Sequence, residues 1–151
     1  LFINEQGCLE MRINGEKITT NAPIRDHAWH FVAASYDAAT GKATLYHEPQ
    51  IQYALDPVIA PVEKTIKGGV KNAPGVPFTV ACYTESTDGG VLAKSSVPAG
   101  IKMAGHYNGK IDSPRLSRSA LSRQDIETMK MGANRAMTES VIVALLGIWQ
   151  R

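Results

Sequence analysis

Two neighbouring runs decide the fold class of this chain: AWHFVAASYD, from Ala28 to Asp37, and KATLYH, from Lys42 to His47. Both are rich in aromatic and β-branched residues, which pack well on a pleated sheet. Between them, Ala38 to Gly41 predicts a turn, because glycine takes the left-handed backbone conformation at no steric cost. The two runs are therefore predicted to form an antiparallel hairpin.

A second hairpin is predicted earlier in the chain, where Asn14-Gly15 separates the runs Gly7 to Ile13 and Glu16 to Thr20. Asn-Gly between strand-like runs favours a type I′ turn, since both residues tolerate a positive φ. The first run alternates apolar and charged side chains, with Glu10 and Arg12 on the charged side. This alternation predicts that the face of the sheet with the charged side chains is exposed to solvent.

The middle of the chain has weaker signals. From Glu48 to Gly75, four prolines and a Gly-Gly pair indicate mostly loop with short edge strands, because proline cannot donate to a sheet ladder. Val76 to Thr84 is predicted as strand and Glu85 to Gly90 as a polar turn. Val91 to Pro98 is a weaker strand or a loop.

The pattern changes once near the end of the chain. Ser122 can cap a helix, Asp125 completes a pair like a capping box, and Leu121 can pack against Ile126. Gly132 is placed to end this helix of about ten residues in the left-handed conformation.

The apolar run from Val141 to Trp149 is too short for a membrane span, which needs roughly 20 residues. Periodicity alone allows a buried helix here, but the β-branched start favours a central strand. Many short strands with one short helix near the C-terminus predict an all-β fold, an antiparallel two-sheet sandwich.

The 151 residues fit one domain, residues 1–151. Because Leu1 already stands in a strand-like run and the last apolar run ends beside Arg151, we expect a domain from a longer protein. The net charge is +2 with scattered basic residues, so neither nucleic acid nor a membrane is an expected partner. Cys8 and Cys82 form no Cys-x-x-Cys motif and are expected to be buried reduced thiols. A disulfide between them would require their strands to meet, and spacing alone does not establish that geometry.

The chain resembles the laminin-G/concanavalin-like lectin superfamily in two ordered sets of residues. The first set is Trp29, Val32, Tyr36-Asp37, Gly41 and Leu45-Tyr46. The second set is Gly109, Ile111-Asp112, Arg115-Leu116 and Ala120-Leu121-Ser122. The resemblance implies a concanavalin-like jelly roll. Glu48-Pro49 replaces the usual Asp-Gly after the Leu-Tyr strand, so we expect the proline-rich insertion in place of a tight turn.

A narrower resemblance lies in Val141 to Trp149, an apolar strand that follows the helix and ends on Trp. It is similar to a junction in large subunits of N,N-dimethylformamidase-type amidohydrolases, although the usual Trp-Asp-Phe reads Trp149-Gln150-Arg151 here. In that family such a sandwich stands beside a catalytic domain with a mononuclear iron. Iron would therefore belong to a parent enzyme outside this segment.

No catalytic residues are predicted. Glycoside hydrolases need two carboxylates on one strand, and the nearest acids, Glu85 and Asp88, stand in a predicted solvated turn. His27 and His30 are an odd number of residues apart, which sends them to opposite sheet faces and excludes a shared metal. His47 and His106 would meet only through tertiary contact. Surface or interface histidines are the favoured interpretation.

Asp112 is the acid of most interest. The resemblance implies a structural role for an Asp at this strand position, and it implies calcium in some members. A calcium site is conceivable from Asp112 with Asp37 or Asp88, but the structural role is favoured, since calcium takes six to eight oxygen ligands. Tyr107, beside Asn108, is the aromatic residue expected to be exposed, and these two are the candidate ligand-binding residues.

The sequence thus favours a non-catalytic accessory domain that contacts other domains or subunits of a larger cytoplasmic protein, such as an amidohydrolase like N,N-dimethylformamidase. The alternative is a carbohydrate- or ligand-binding module of lectin type that binds a glycan, assisted by calcium, with an extracellular location.

Overall fold

The computed structural model describes residues 1–70, 79–86, 101–130 and 146–150, with the backbone alone for 83–86, 101–103 and 146–150. In chain order the strands are β1 (Phe2–Ile3), β2 (Cys8–Ile13), β3 (Glu16–Pro23), β4 (Trp29–Asp37), β5 (Lys42–Pro49), β6 (Val62–Thr65), β7 (Tyr83–Ser86), β8 (Ile101–Ala104), β9 (Gly109–Asp112) and β10 (Leu146–Gln150). The helix α1 spans Arg123–Lys130. Two compact units divide the chain: Leu1–Val70 with Lys110–Arg151, and Lys71–Gly109.

The first unit contains a three-stranded sheet in the order β1-β2-β3, with antiparallel pairing throughout. Asn14 and Gly15 have φ values of 52° and 80°, so the predicted tight turn between β2 and β3 is confirmed. Strand β3 continues three residues beyond the predicted end at Thr20.

The same unit contains a five-stranded sheet in the order β6-β5-β4-β10-β9. Strands β4 and β5 are the predicted hairpin, in register from His30 opposite Pro49 to Asp37 opposite Lys42. Strand β6 is a short edge strand, as expected for the proline-rich segment. No tight turn follows β5, in agreement with the expectation from Glu48-Pro49.

Gly41 is the residue that the β4–β5 turn requires. Its φ is 72°, and its N–H donates to the Asp37 carbonyl at 2.8 Å. A Cβ at this position would lie 2.7 Å from the Ile66 carbonyl oxygen, which is closer than real Cβ contacts allow. A side chain here would therefore force the backbones apart, in addition to the strain of the positive φ.

Strand β5 is covered on both faces. On one face the three-stranded sheet lies against it, since both β2 and β3 contact β5. On the other face α1 packs against Ala33 and Tyr46 through Ile126 and Met129. Five consecutive residues of β5, Ala43 to His47, are buried as a result.

The start of α1 forms as predicted. The Asp125 N–H donates to Ser122 Oγ at 3.2 Å, and the Ser122 N–H donates to Asp125 Oδ2 at 3.0 Å, which is a reciprocal capping box. Leu121 packs against the cluster that contains Ile126. The predicted end at Gly132 lies outside the described residues.

The prediction that the charged face of β2 is wet is wrong at Glu10, which is only 5% exposed. Strand β1 extends the sheet, and Arg12 stacks over the Phe2 ring at 4.6 Å. Burial raises the pKa of Glu10, but hydrogen bonds from Arg12 and Asn4 outweigh this effect and the net shift is downward. The carboxylate is thus an internal acceptor for its neighbours.

The part of the last apolar run that is described, Leu146–Gln150, is strand β10, as predicted. It pairs antiparallel with β4, with Leu146 opposite Val32 and Trp149 opposite Trp29, and it lies between β4 and β9. Residues 141–145 lie outside the described part.

The second unit contains the antiparallel pair of β7 and β8. Glu85, predicted in a polar turn, lies within β7 and pairs with Lys102, so the strand extends further than expected. Cys82 in this unit and Cys8 in the first are both free thiols, as expected, but each is half-buried instead of fully buried. The predicted strand Val76 to Thr84 is wrong over residues 79–82, which are described and form no strand, because β7 begins only at Tyr83. Residues 71–78 and 87–100 lie outside the described part of the chain.

The described residues thus form mostly antiparallel strands, with one short helix near the C-terminus among them. Within the described residues no helix is both long enough and apolar enough to cross a membrane.

Candidate functional site

Two of the three predicted calcium ligands, Asp37 and Asp112, lie among the described residues. The Asp37 carboxylate accepts hydrogen bonds from the Thr40 hydroxyl at 2.7 Å and the Ala39 N–H at 2.9 Å, so it holds the β4–β5 turn. These hydrogen bonds lower the pKa of Asp37, and the bond from the Thr40 hydroxyl has the largest effect. Asp112 lies exposed at the end of β9, where Ser113 Oγ donates to it at 3.2 Å. Asp88 lies outside the described residues.

Over the part of the chain that the structure describes, no group of three or more His, Cys, Asp or Glu side chains is arranged to hold a metal ion. The calcium site stays a prediction.

The predicted ligand-binding pair lies in the second unit. Asn108 is exposed, but Tyr107 is half-buried and its N–H donates to the Ala81 carbonyl at 2.6 Å. The Tyr107 hydroxyl is buried without a partner in the described structure, and burial raises its pKa to about 12. The expectation of an exposed Tyr107 is therefore wrong at its hydroxyl. Asn108 alone remains open to solvent.

An exposed apolar surface lies on the connection between β5 and β6, residues 50–61, which we call the contact loop. Four of its apolar side chains are largely exposed: Leu55 by 98%, Val58 by 79%, Tyr53 by 64% and Ile51 by 63%. Such a run is unusual, because large apolar side chains grouped on a surface commonly mark an interaction site.

Arg25 holds the contact loop in place. Its guanidinium pairs with Asp56 Oδ2 at 2.8 Å, donates to the Ile51 carbonyl and stacks over the Tyr53 ring at 5.3 Å. The Asp56 carboxylate also accepts the Tyr53 N–H at 2.7 Å. The Gln50 N–H donates to the Trp29 carbonyl at 2.8 Å, which ties the start of the loop to β4. The apolar side chains are therefore displayed on an ordered backbone.

The contact loop is also electrically neutral. Asp56 is the only charged residue between positions 50 and 61, and Arg25 neutralises it. Sequence reasoning identified this segment as loop, but not as a surface. The sequence signal for such a surface is that eleven of the twelve residues are uncharged and that several of them are large and apolar.

Two histidines meet in the interior of the first unit. His30 Nδ1 and His47 Nε2 are 2.8 Å apart, and the side chains are 2% and 3% exposed. The expectation of surface or interface histidines is therefore wrong for this pair. His27 and His106 are exposed.

The hairpin register explains how these two histidines meet. His47 pairs with Val32, two residues along β4 from His30, and residues two apart on a strand share a face. The turn at Gly41 fixes this register, so the contact was implicit in the sequence. The spacing of His30 from its near neighbour His27 does not show this contact, because the contact depends on the pairing of β4 with β5.

Both histidines are held in their neutral forms. Burial, then the positive charge of Arg25, lowers the pKa of His30. Burial lowers the pKa of His47 to about 4, and the positive charges of Arg25 and of His30, when that ring is protonated, act in the same direction. Because the charged forms are disfavoured, both rings remain uncharged near neutral pH.

A cleft of about 670 Å³ opens beside the end of β5 and α1. Its lining includes the aromatic residue Trp29 and the charged residues Glu48, Asp112, Arg115 and Lys130. Lys130 Nζ contacts both carboxylate oxygens of Glu48 at 2.7 and 2.8 Å. The cleft thus combines an aromatic wall with charges of both signs.

Comparison with protein-family models, with curated proteins and with solved structures finds no match for this chain.

Proposed function

We propose that this chain is a non-catalytic accessory domain that makes a subunit contact through the contact loop, residues 50–61. The observation that carries the proposal is the nearly complete exposure of Leu55, together with Val58, Tyr53 and Ile51, on a loop that Arg25 anchors through Asp56. An ordered apolar surface binds at lower entropic cost than a disordered one, because less freedom is lost on association.

The occupant that this surface fits is a second copy of the chain. In a symmetric contact the same patch meets itself, so an unpaired charge near its centre would face its own copy. The contact loop avoids this repulsion, because its single carboxylate, on Asp56, is already paired with Arg25. Apolar side chains carry no such penalty.

Replacement of Leu55 by Asp is expected to weaken self-association about 10- to 100-fold. Burial of one leucine contributes about 1.5–3 kcal/mol, and each 1.4 kcal/mol changes an affinity about tenfold. Sedimentation velocity over protein concentrations from about 10 µM to about 1 mM, which spans the range of weak and moderate contacts, measures the effect.

Val70→Asp is the matched control, since Val70 is an exposed apolar residue, 57% accessible, outside the contact loop. It should leave self-association unchanged. A wild-type chain that stays monomeric over the whole concentration range, or equal effects of the two variants, would exclude the proposed contact.

The finer fold assignment is part of the same proposal. We infer a concanavalin-like sandwich, and three features support it: the tryptophan strand β4 leads through Gly41 into β5, β9 belongs to the same sheet, and α1 follows β9 in the chain. A parent protein of the N,N-dimethylformamidase type would supply the other copies and a catalytic domain.

A second candidate function is carbohydrate or small-ligand binding, which the cleft beside Trp29 favours. An aromatic wall suits the C–H face of a sugar, and Arg115 and Asp112 can hydrogen-bond to hydroxyls.

For this second function, Arg115→Ala is expected to reduce binding to a glycan array about 10- to 100-fold, since hydrogen bonds to charged groups contribute about 1.5–3 kcal/mol. Arg118→Ala is the matched control, because Arg118 is exposed and does not line the cleft. Measurement with and without added calcium tests the predicted role of the ion. An array without any signal from the wild-type chain would speak against this function.

A further inference from the structure

The hydrogen bonds around the buried histidine pair define where its protons lie. The Arg25 N–H donates to His30 Nε2 at 3.0 Å, so this nitrogen carries no hydrogen. His30 Nδ1 is then the protonated nitrogen and donates to His47 Nε2 at 2.8 Å. The proton of neutral His47 is thereby assigned to Nδ1, which is buried and has no partner among the described residues.

Both acceptor nitrogens of the two rings already accept a hydrogen bond, so neither can take up a further proton without the loss of that bond. If His30 Nε2 stays unprotonated, the added proton goes to His47 Nε2. Two N–H groups then point at each other at the 2.8 Å contact between the rings. If the proton instead goes to His30 Nε2, that N–H faces the Arg25 N–H. Protonation of either histidine therefore breaks one of the two bonds.

The charge environment adds to this effect. The only charged side chain that acts on either ring from the described elements is Arg25, which is itself positive. Thus a protonated pair would be a buried cation repelled by a second cation, with no described carboxylate in compensation.

Arg25 connects the histidine pair to the surface. Its backbone N–H binds His30, while its guanidinium binds Asp56 and the Ile51 carbonyl in the contact loop. A displacement of Arg25 by a charged histidine therefore removes the main side chain that anchors the loop.

We propose that the His30–His47 pair is a pH-sensitive device that releases the contact loop, residues 50–61, when either histidine is protonated. The role assigned to this release, regulation of the subunit contact, rests on the proposed function of the loop. The release itself is a property of a single chain.

The direction of the pH dependence follows from the proton affinities. We call the chain closed when the contact loop is bound by Arg25 and released when it is not. A histidine that becomes accessible in the released state has an ordinary pKa near 6.5, whereas burial in the closed state lowers the pKa of His47 to about 4. The released state therefore binds more protons between these values, and the closed state is fully stable above about pH 6.5. For each proton taken up on release, the released population rises about tenfold per pH unit as the pH falls through this range.

Hydrogen exchange followed by NMR tests the device through protection factors, which correct for the intrinsic pH dependence of exchange. From about pH 7 to about pH 5, protection of the amides of Arg25, Tyr53 and Asp56 is expected to fall together, about tenfold per unit below pH 6.5. This range lies above the ordinary titration of carboxylates, which separates the histidines from Asp56. The amides of the β2–β3 hairpin, such as Met11 and Ile18, should keep their protection.

Arg25→Lys separates the pair from the loop, because lysine keeps the backbone N–H and the positive charge but lacks the guanidinium fork. In this variant the loop amides should have low protection at every pH, while the amide at position 25 still responds to pH. Arg12→Lys is the matched control, since Arg12 pairs with Glu10 at 2.6 Å in the other sheet, and it should behave as the wild type.

Loop protection that is constant from pH 7 to pH 5 would overturn the inference, as would a parallel loss of protection in all strands. Exchange is measured at protein concentrations at which sedimentation shows a monomer, because association through the contact loop would itself protect these amides. A monomeric chain with pH-dependent loop protection would therefore contradict the subunit contact alone, and a dimer with constant loop protection would contradict the histidine device alone.

Discussion

Replacement of Leu45 by alanine is expected to lower the free energy of unfolding by about 2–5 kcal/mol, which is the cost of removing a buried leucine side chain and leaving a cavity. Leu45 is 0% exposed and lies in β5, the strand that is covered on both faces. The loss is a large part of the 5–15 kcal/mol that stabilises a typical domain. Urea unfolding, followed by circular dichroism, measures it.

The same substitution at Leu55 is the matched control, since Leu55 is 98% exposed on the contact loop. Its effect should stay within about 0.5 kcal/mol. If Leu45→Ala and Leu55→Ala had equal effects, the assignment of β5 to the interior would be wrong. The expected difference between the two variants would also mean that the Leu55 side chain is available for a contact and has no role in folding.

Replacement of Ile126 by alanine is expected to destabilise the chain by about 2–4 kcal/mol, because this residue anchors α1 on β4 and β5. Ile126 is 1% exposed and packs against Ala33 and Tyr46. The better helix propensity of alanine offsets only a few tenths of a kcal/mol. The measurement is again urea unfolding, with the near-ultraviolet signal as a report on aromatic packing.

Gln124→Ala controls for the change in helix propensity, since Gln124 is exposed on the same helix. It should be neutral or slightly stabilising. If Ile126→Ala left the free energy of unfolding unchanged, α1 would not be part of the folded core. A different element would then have to pack on the second face of β4 and β5.

The two predicted hairpins show which local signals were sufficient. At Asn14-Gly15 and at Gly41, the backbone needs positive φ values that most residues avoid, so the turns could be located from residue identity alone. The capping box at Ser122 and Asp125 is equally local, because its partners are three residues apart. Each of these features depends on contacts between near neighbours.

The candidate site was predicted less well, because its contacts are distant in the sequence. Outside the candidate site, Glu10 is buried and not solvent-exposed as predicted, because the short strand β1 and the stacked Arg12 cover it. His30 and His47 are separated by 17 positions and meet only through the hairpin register. Arg25 is 31 residues from Asp56, and no local pattern links the two.

The sequence by itself determined the antiparallel strands, their turns and the start of the helix, because backbone sterics and short-range hydrogen bonds act between residues a few positions apart. It also determined that residues 50–61 are almost uncharged. Only the tertiary structure decided that this loop is exposed while Arg25 anchors it, and that His30 and His47 are buried in contact with each other. The physical reason is that burial and proton affinity depend on which distant elements exclude water from a side chain, and the packing of the two sheets sets that exclusion.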